Sequence, residues 1–167
     1  MSWFQVFLIL HILAVVVAFG PSFAFPLIGA LIEKSPQQGA FGLQIMTAIE
    51  ERMIIPLSTV VPVLGVGLIY TGHFDLWKSE WLVITIVLYP IFYFFGLLVQ
   101  TPRSNRLLKM ALDMQAAGPP PAEAGGPPAE FQKLQKQVQM GGAFLGLMVI
   151  VFIVLMVWKP GSCTGIC

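Results

Sequence analysis

The sequence predicts an all-α membrane protein, a polytopic four-helix bundle whose transmembrane helices are kinked. Of its 167 residues, 57% are hydrophobic and only 10% are charged, whereas soluble domains have about 45–50% apolar and about 25% charged residues. Four apolar stretches are each long enough to cross about 30 Å of hydrocarbon at about 1.5 Å per helical residue. They cover approximately residues 3–32, 53–71, 81–99 and 140–158. A transmembrane strand would show about ten residues of alternating polarity, and these stretches do not alternate.

The first apolar stretch is predicted to be a retained helix and not a secretory signal. Met1 and Ser2 provide no basic region ahead of it. Its apolar run is also longer than the roughly 7–15 residues typical of a signal.

Prolines interrupt the first three stretches, and each proline removes a backbone donor and tends to bend a helix. They are Pro21, Pro26, Pro56, Pro62 and Pro90. Membrane helices tolerate such bends where neighbouring groups or a cavity satisfy the freed carbonyls. The bends therefore have two interpretations, ordinary kinks in a compact bundle or the wall of a substrate pathway.

The connections between the stretches differ in length and composition. Residues 72–80 form a short connection, which makes the second and third helices antiparallel neighbours. Thr101 and Pro102 are typical of the N-cap and first position of a further helix that runs to about Gln115. Residues 116–130 are rich in Pro, Gly and Ala and are predicted to form a flexible or polyproline-like cytoplasmic linker.

The distribution of Lys and Arg predicts the orientation in the membrane. Seven of the nine lie in the first and third connections: Lys34, Arg52, Arg103, Arg106, Lys109, Lys133 and Lys136. Lys78 and Lys159 lie on the other side. By the positive-inside rule, both termini are predicted to lie outside the cytoplasm. All four tryptophans fall at the predicted outer ends, where indole rings favour the interface: Trp3, Trp77, Trp81 and Trp158.

Several classes of function have no support in the sequence. It contains no Walker loop, dinucleotide fingerprint, nucleophile elbow or zinc-protease helix, which are the usual signs of nucleotide chemistry and hydrolysis. The net charge of +1 and the dispersed basic residues argue against binding to nucleic acid. The lipid bilayer is the first expected partner.

His11 is the most informative polar residue, because it lies about two turns into an apolar helix. An ionisable group is costly at that depth and is a functional candidate by default. Its neutral imidazole could bind haem iron or copper, or it could form a hydrogen bond with a neighbouring helix. Both interpretations require the ring to face the bundle interior, together with Phe4, Phe7, Leu8, Val15 and Ala18.

Three smaller features complete the set of candidates. Residues 50–52, Glu-Glu-Arg, suit helix capping and interface anchoring, or alternatively proton entry or substrate binding. Gly65 and Gly67, and a Gly-x-x-x-Gly spacing at residues 142–146, would allow close approach of helices within the bundle or between copies. Cys163 and Cys167 are predicted to form a small disulfide on the outer side.

Several short motifs resemble those of a known family. They are Leu10-His11-Ile12-Leu13, Ile55-Pro56, Gly65-Val66-Gly67-Leu68, Trp81-Leu82 and Thr101-Pro102-Arg103. Over roughly residues 5–110 the chain resembles an uncharacterised bacterial family of predicted integral membrane proteins, which implies the bacterial cytoplasmic membrane. Its layout is similar to copper-resistance D-type proteins and to the J-type protoporphyrinogen oxidase. That resemblance implies that His11 matches the haem-ligand histidine of the oxidase.

Three function classes follow. The first is an accessory or interaction subunit of a membrane complex, which associates with other subunits or with itself. The second is a haem-binding redox protein with His11 as an axial ligand. The third is a permease for copper or a small solute that uses the kinked helices. The scarcity of charge within the four stretches favours the first two over an autonomous ion-coupled transporter.

Overall fold

The computed structural model describes residues 1–118 and 126–160. Within this part, four helical spans are long and apolar enough to cross a membrane: Trp3–Lys34, Gly39–Gly72, Glu80–Ala116 and Ala129–Trp158, here called spans 1 to 4. The described residues contain no strand. The predicted all-α membrane fold with four spans is therefore confirmed. Most of the proline-rich part of the linker and both cysteines lie outside the described residues.

Spans 1 to 3 are each divided by a short turn of different helical geometry, and span 4 is continuous. Span 1 consists of α1 (Trp3–Phe19), a 3-10 turn (Gly20–Ala24) and α2 (Phe25–Lys34). Span 2 consists of α3 (Gly39–Ile49), a π turn (Glu50–Ile54) and α4 (Ile55–Gly72). Span 3 consists of α5 (Glu80–Phe95), a π turn (Gly96–Gln100) and α6 (Thr101–Ala116), and span 4 is α7 (Ala129–Trp158).

The helices of spans 2, 3 and 4 extend beyond the apolar stretches of the sequence. In α6, for example, Ser104, Leu107 and Ala111 are buried, and their spacing of three and four residues places them on one face. The opposite face is polar. Continuous apolar runs locate only the part of a helix that is surrounded by hydrocarbon. The further helix predicted from Thr101 to about Gln115 is confirmed as α6.

Each π turn ends directly before a residue that is followed by proline. The amide of Ile55 donates to the carbonyl of Glu50, and the amide of Thr101 donates to the carbonyl of Gly96. In a regular α-helix, a proline ring collides with the carbonyl four residues earlier. The wider π turn moves that carbonyl away, so Pro56 and Pro102 fit within continuous helical spans.

The predicted N-cap at Thr101 is wrong. Gln100 and Thr101 both have right-handed helical backbones, so span 3 passes through this point without a break. The Thr101 hydroxyl instead donates to the Glu50 carboxylate at 2.7 Å. Thr-Pro is a good helix start in water, but a π turn offers a second way to accommodate the proline.

One end of the bundle, here called the tryptophan half, contains Trp3, Trp81 and Trp158. There the Phe74 ring packs against the rings of Phe4 and Trp81, with centroids 6.2 Å apart in each pair. The Lys159 ammonium lies 5.6 Å from the centre of the Trp81 ring. These contacts hold the start of span 1, the connection between spans 2 and 3, and the end of span 4 together.

Helices α1 and α4 form the closest helix pair of the bundle. A Cβ placed on Gly67 would lie 2.5 Å from ring atoms of Phe7, and one on Gly65 would lie 3.6 Å from the His11 ring. The prediction that these two glycines allow close helix approach is confirmed. The buried core continues from this pair toward spans 3 and 4 through Ala14, Ala18, Phe19, Val61, Phe92, Val149 and Phe152.

Candidate functional site: a cavity between the spans

The half of the bundle opposite the tryptophans, here called the cavity half, contains a partly open cavity of about 1740 Å³. Helices α2, α3, α6 and α7 and both π turns border it. Its size exceeds the roughly 300–1,000 Å³ of ordinary small-molecule pockets. Its lining is mainly apolar and contains six aromatic residues: Phe19, Phe23, Phe25, Phe92, Tyr93 and Phe131.

The cavity exists because the second half of span 1 leaves the bundle. After the Gly20–Ala24 turn, α2 packs mainly against α3 and the turn itself, so no described residue fills the space between α2 and α7. Small residues enlarge this space. A Cβ on Gly29 or Gly146 would have no neighbouring atom within 4 Å.

The Gly-x-x-x-Gly spacing in α7 does not form a close helix contact within the described chain. Gly142 and Gly146 both border the cavity, and the only atom near a Cβ on Gly142 is Gln100 Nε2 at 3.9 Å. The close contact is at Gly141, whose Cα lies against the Gln100 side-chain oxygen. The expectation that residues 142 and 146 pack helices within the bundle is therefore wrong.

Gln100 joins span 3 to span 4 at the wall of the cavity. Its side chain is only 7% exposed, and Nε2 donates to the Val138 carbonyl at 3.0 Å. Among the described residues, Oε1 has no conventional hydrogen-bond partner; it faces the backbone of Gly141, where a weak Cα–H contact is the available interaction. A side chain at position 141 would displace this amide.

A polar wall of the cavity joins spans 2 and 3 at their π turns. The Glu50 carboxylate accepts a hydrogen bond from the Thr101 hydroxyl at 2.7 Å, and Ser104 lines the same part of the cavity. One turn further along, the Asn105 side-chain amide donates to Glu51 at 2.8 Å. Glu50 borders the cavity, whereas Glu51 is exposed and does not. The sequence singled out both glutamates, but only the fold distinguishes them.

The charged residues among the described lining of the cavity are Glu33 and Glu50. Glu33 is exposed and Glu50 is partly buried. No described lining residue is Lys, Arg or His. The basic residues of this half of the protein lie elsewhere, for example Arg106, which pairs with Glu130 at 2.5 Å.

Proline chemistry also explains a hydrogen bond next to the cavity. Pro62 has no N–H group, so the Ser58 carbonyl loses its usual donor four residues later. The Tyr89 hydroxyl of span 3 donates to that carbonyl at 2.5 Å. Together with the hydrogen bond between Thr59 and Tyr93 at 2.9 Å, it confirms that spans 2 and 3 are neighbours.

Replacing Tyr89 with Phe is expected to cost about 1 kcal/mol, because the Ser58 carbonyl loses its donor. In a Pro62→Ala background, the restored backbone amide can serve this carbonyl, so the same Tyr89 change should cost close to nothing. Unfolding in mixed detergent micelles, followed by circular dichroism, measures both costs. Tyr70→Phe is the control, because Tyr70 is 82% exposed. Equal costs in the two backgrounds would show that proline does not create the need for Tyr89.

His11 faces the bundle interior, as predicted. It is 6% exposed, and its Nδ1 lies 3.1 Å from the Val61 carbonyl of α4. Ala14 and Ala18 on the same face of α1 are also buried. Leu8, which was expected on this face, is exposed.

His11 does not border the cavity. Its ring lies in the closest contact of the bundle, against Gly65 of α4, and seating a porphyrin on it would require α1 and α4 to separate. Across the described residues, no group of three or more His, Cys, Asp or Glu side chains is placed to hold a metal ion. The surroundings of His11 fit an interhelical hydrogen bond better than a haem.

The fold and the cavity together define a class of protein, a small polytopic helical membrane protein with an apolar cavity between its spans. The chain matches, over residues 5–160, a family described as predicted integral membrane proteins (DUF2269). It belongs to that family, which confirms the resemblance to an uncharacterised family of predicted integral membrane proteins and extends it into span 4. No curated protein matches the chain, and no solved structure does.

Proposed function

We propose that this protein binds a small, largely apolar molecule in the cavity between its spans. The observation that carries the proposal is the 1740 Å³ cavity, which combines an apolar and aromatic lining with a few convergent polar groups. This combination is typical of small-molecule sites. Among the three classes derived from the sequence, the small-solute permease has the most direct support, because the proline-associated turns border this cavity.

The test is a fluorescence titration of the detergent-purified protein with the neutral apolar dye N-phenyl-1-naphthylamine. Gly146→Phe places a ring in the open space next to Gly146 and should abolish saturable binding. Leu147→Phe is the matched control, because Leu147 is adjacent, 56% exposed and absent from the cavity lining. Binding that is equal in the two variants, or that never saturates in the unchanged protein, would exclude the cavity as a binding site.

The haem and accessory-subunit hypotheses remain predictions. A haem on His11 would produce a Soret band in the visible absorption spectrum of the purified protein. An accessory role would appear as copurification of other membrane subunits, and self-association as a dimer in detergent. Neither hypothesis uses the cavity, so the dye titration is independent of both.

We further propose that the protein resides in the bacterial cytoplasmic membrane with the tryptophan half and both termini outside the cytoplasm. The seven-to-two asymmetry of basic residues supports this orientation. A membrane-impermeant thiol reagent applied to intact spheroplasts should label the C-terminal pair, Cys163 and Cys167, after reduction. A single cysteine introduced at Ala117, in a background without the native cysteines, should react only after lysis. The reverse pattern of labelling would contradict the orientation.

The disulfide predicted between Cys163 and Cys167 has its own test. A mass spectrum of the unreduced C-terminal peptide would show whether the two cysteines are joined.

A further inference from the structure

We propose that the cavity accepts a lipophilic cation, a molecule with an apolar body and an amine or other positively charged group, and that Glu50 pairs with its charge. This inference rests on the proposed function and specifies the chemistry of the ligand. Three properties of the described lining carry it: the signs of its charges, the fixed position of the Glu50 carboxylate, and its aromatic rings.

The charges of the lining have one sign. Glu33 and Glu50 border the cavity, and no described lining residue is basic. A carboxylate in apolar surroundings interacts strongly with a nearby cation, because the effective dielectric constant there is far below that of water. An anionic ligand would face the same carboxylates without a compensating charge. The lining therefore selects a cation over an anion of equal size.

Glu50 is held in place by its neighbours. The π turn at Glu50–Ile54 presents the side chain toward span 3, where the Thr101 hydroxyl donates a hydrogen bond to it at 2.7 Å. The Thr101 hydroxyl also lies 3.1 Å from the Gly96 carbonyl, and its single proton can serve one acceptor at a time. A cation that approaches Glu50 therefore finds an oriented carboxylate with remaining acceptor capacity.

The aromatic residues supply the second element of a cation site. Six aromatic rings border the cavity, including Phe92 and Tyr93 of α5 on the same span as Thr101. Ring faces attract cations, and they also provide apolar contact for the body of the ligand. A phospholipid fits this lining less well, because its phosphate would lie among carboxylates.

The test compares tetraphenylphosphonium with tetraphenylborate, two ions of nearly equal size and opposite charge. Equilibrium dialysis of the purified protein measures the binding of each ion. The same measurement on Gly146→Phe gives the background from partitioning into detergent. The unchanged protein should bind the cation at least about tenfold more tightly than the anion, because of the carboxylate. Glu50→Gln should remove this preference while the neutral dye still binds. Glu51→Gln is the matched control and should keep the preference, because Glu51 does not border the cavity.

Each outcome bears on the proposal. Equal binding of the two ions by the unchanged protein would overturn it even if Glu50→Gln failed to fold, and a preference retained in Glu50→Gln would overturn it as well. Displacement of the neutral dye by phosphatidylethanolamine, but not by tetraphenylphosphonium, would assign the cavity to lipid and contradict the proposal. If the neutral dye binds but the protein binds the two ions equally, the proposed function survives and the cation assignment fails. If the dye does not bind, the proposed function itself fails.

Discussion

Replacing Gly67 with Leu is expected to separate α1 from α4 and to destabilise the bundle. A Cβ at this position already lies 2.5 Å from the Phe7 ring, and the rest of the leucine side chain would have to displace it. Overpacking typically costs about 1–3 kcal/mol or more. Because this is the closest helix pair of the fold, little neighbouring space can absorb the side chain.

The folded fraction after mild heating in detergent, measured by size-exclusion chromatography, tests this expectation. Gly29→Leu is the matched control, since nothing lies within 4 Å of a Cβ there, and it should behave as the unchanged protein. Adding Phe7→Ala should restore part of the stability of Gly67→Leu, because the removed ring is the group in contact. Equal behaviour of the two leucine variants would show that α1 and α4 do not pack as described.

Replacing His11 with Ala is expected to cost about 2–4 kcal/mol of stability, the amount typical for truncation of a large buried side chain. Two losses combine in this variant: the packing volume between α1 and α4, and the hydrogen bond between Nδ1 and the Val61 carbonyl. His11→Leu keeps most of the volume and loses the hydrogen bond, so it should cost about 1 kcal/mol.

The two His11 variants distinguish a structural residue from a ligand. If His11 has only a structural role, His11→Ala loses more stability than His11→Leu, because alanine fills less of the space of the ring. The dye titration of His11→Leu then matches that of the unchanged protein. A visible absorption band that is present in the unchanged protein and lost in both variants, with little change in stability, would instead identify His11 as a haem ligand.

The sequence was sufficient for the number of spans and for the inward orientation of His11. Both follow from the free-energy cost of placing polar groups in hydrocarbon. This cost depends on the type of residue, so it can be read from the sequence without knowing the fold. Gly65 and Gly67 were predicted at a helix contact for a separate reason, because small residues allow helix backbones to approach closely.

The cavity could not be predicted, because it depends on the direction that α2 takes after the turn at Gly20–Ala24. Pro21 indicates a bend but not its angle, and a small change of angle would decide whether α2 packs against α7. The role of Glu50 has the same origin. Adjacent residues of a helix project about 100° apart, so the sequence shows that Glu50 and Glu51 differ in direction but not which of them borders the cavity.

The sequence also misassigned the small residues of α7. A Gly-x-x-x-Gly spacing signals that two helices can approach, but it does not require a partner at that position. In this chain Gly141, one residue earlier, makes the close contact, because Gln100 projects from the π turn of span 3 at its level. The position of a π turn depends on the tertiary structure. The spacing of glycines in the sequence therefore does not show which residue of α7 lies opposite Gln100.

Spans 1 and 4 leave a large, mainly apolar cavity between α2 and α7. A cryo-electron microscopy structure in lipid nanodiscs, with a rigid antibody fragment bound to provide particle size, tests it most directly. We expect an open space bordered by Glu50, Phe92 and Gly146, with α2 directed away from α7. A structure in which α2 packs against α7 and the residues around Gly146 are buried by protein would contradict it.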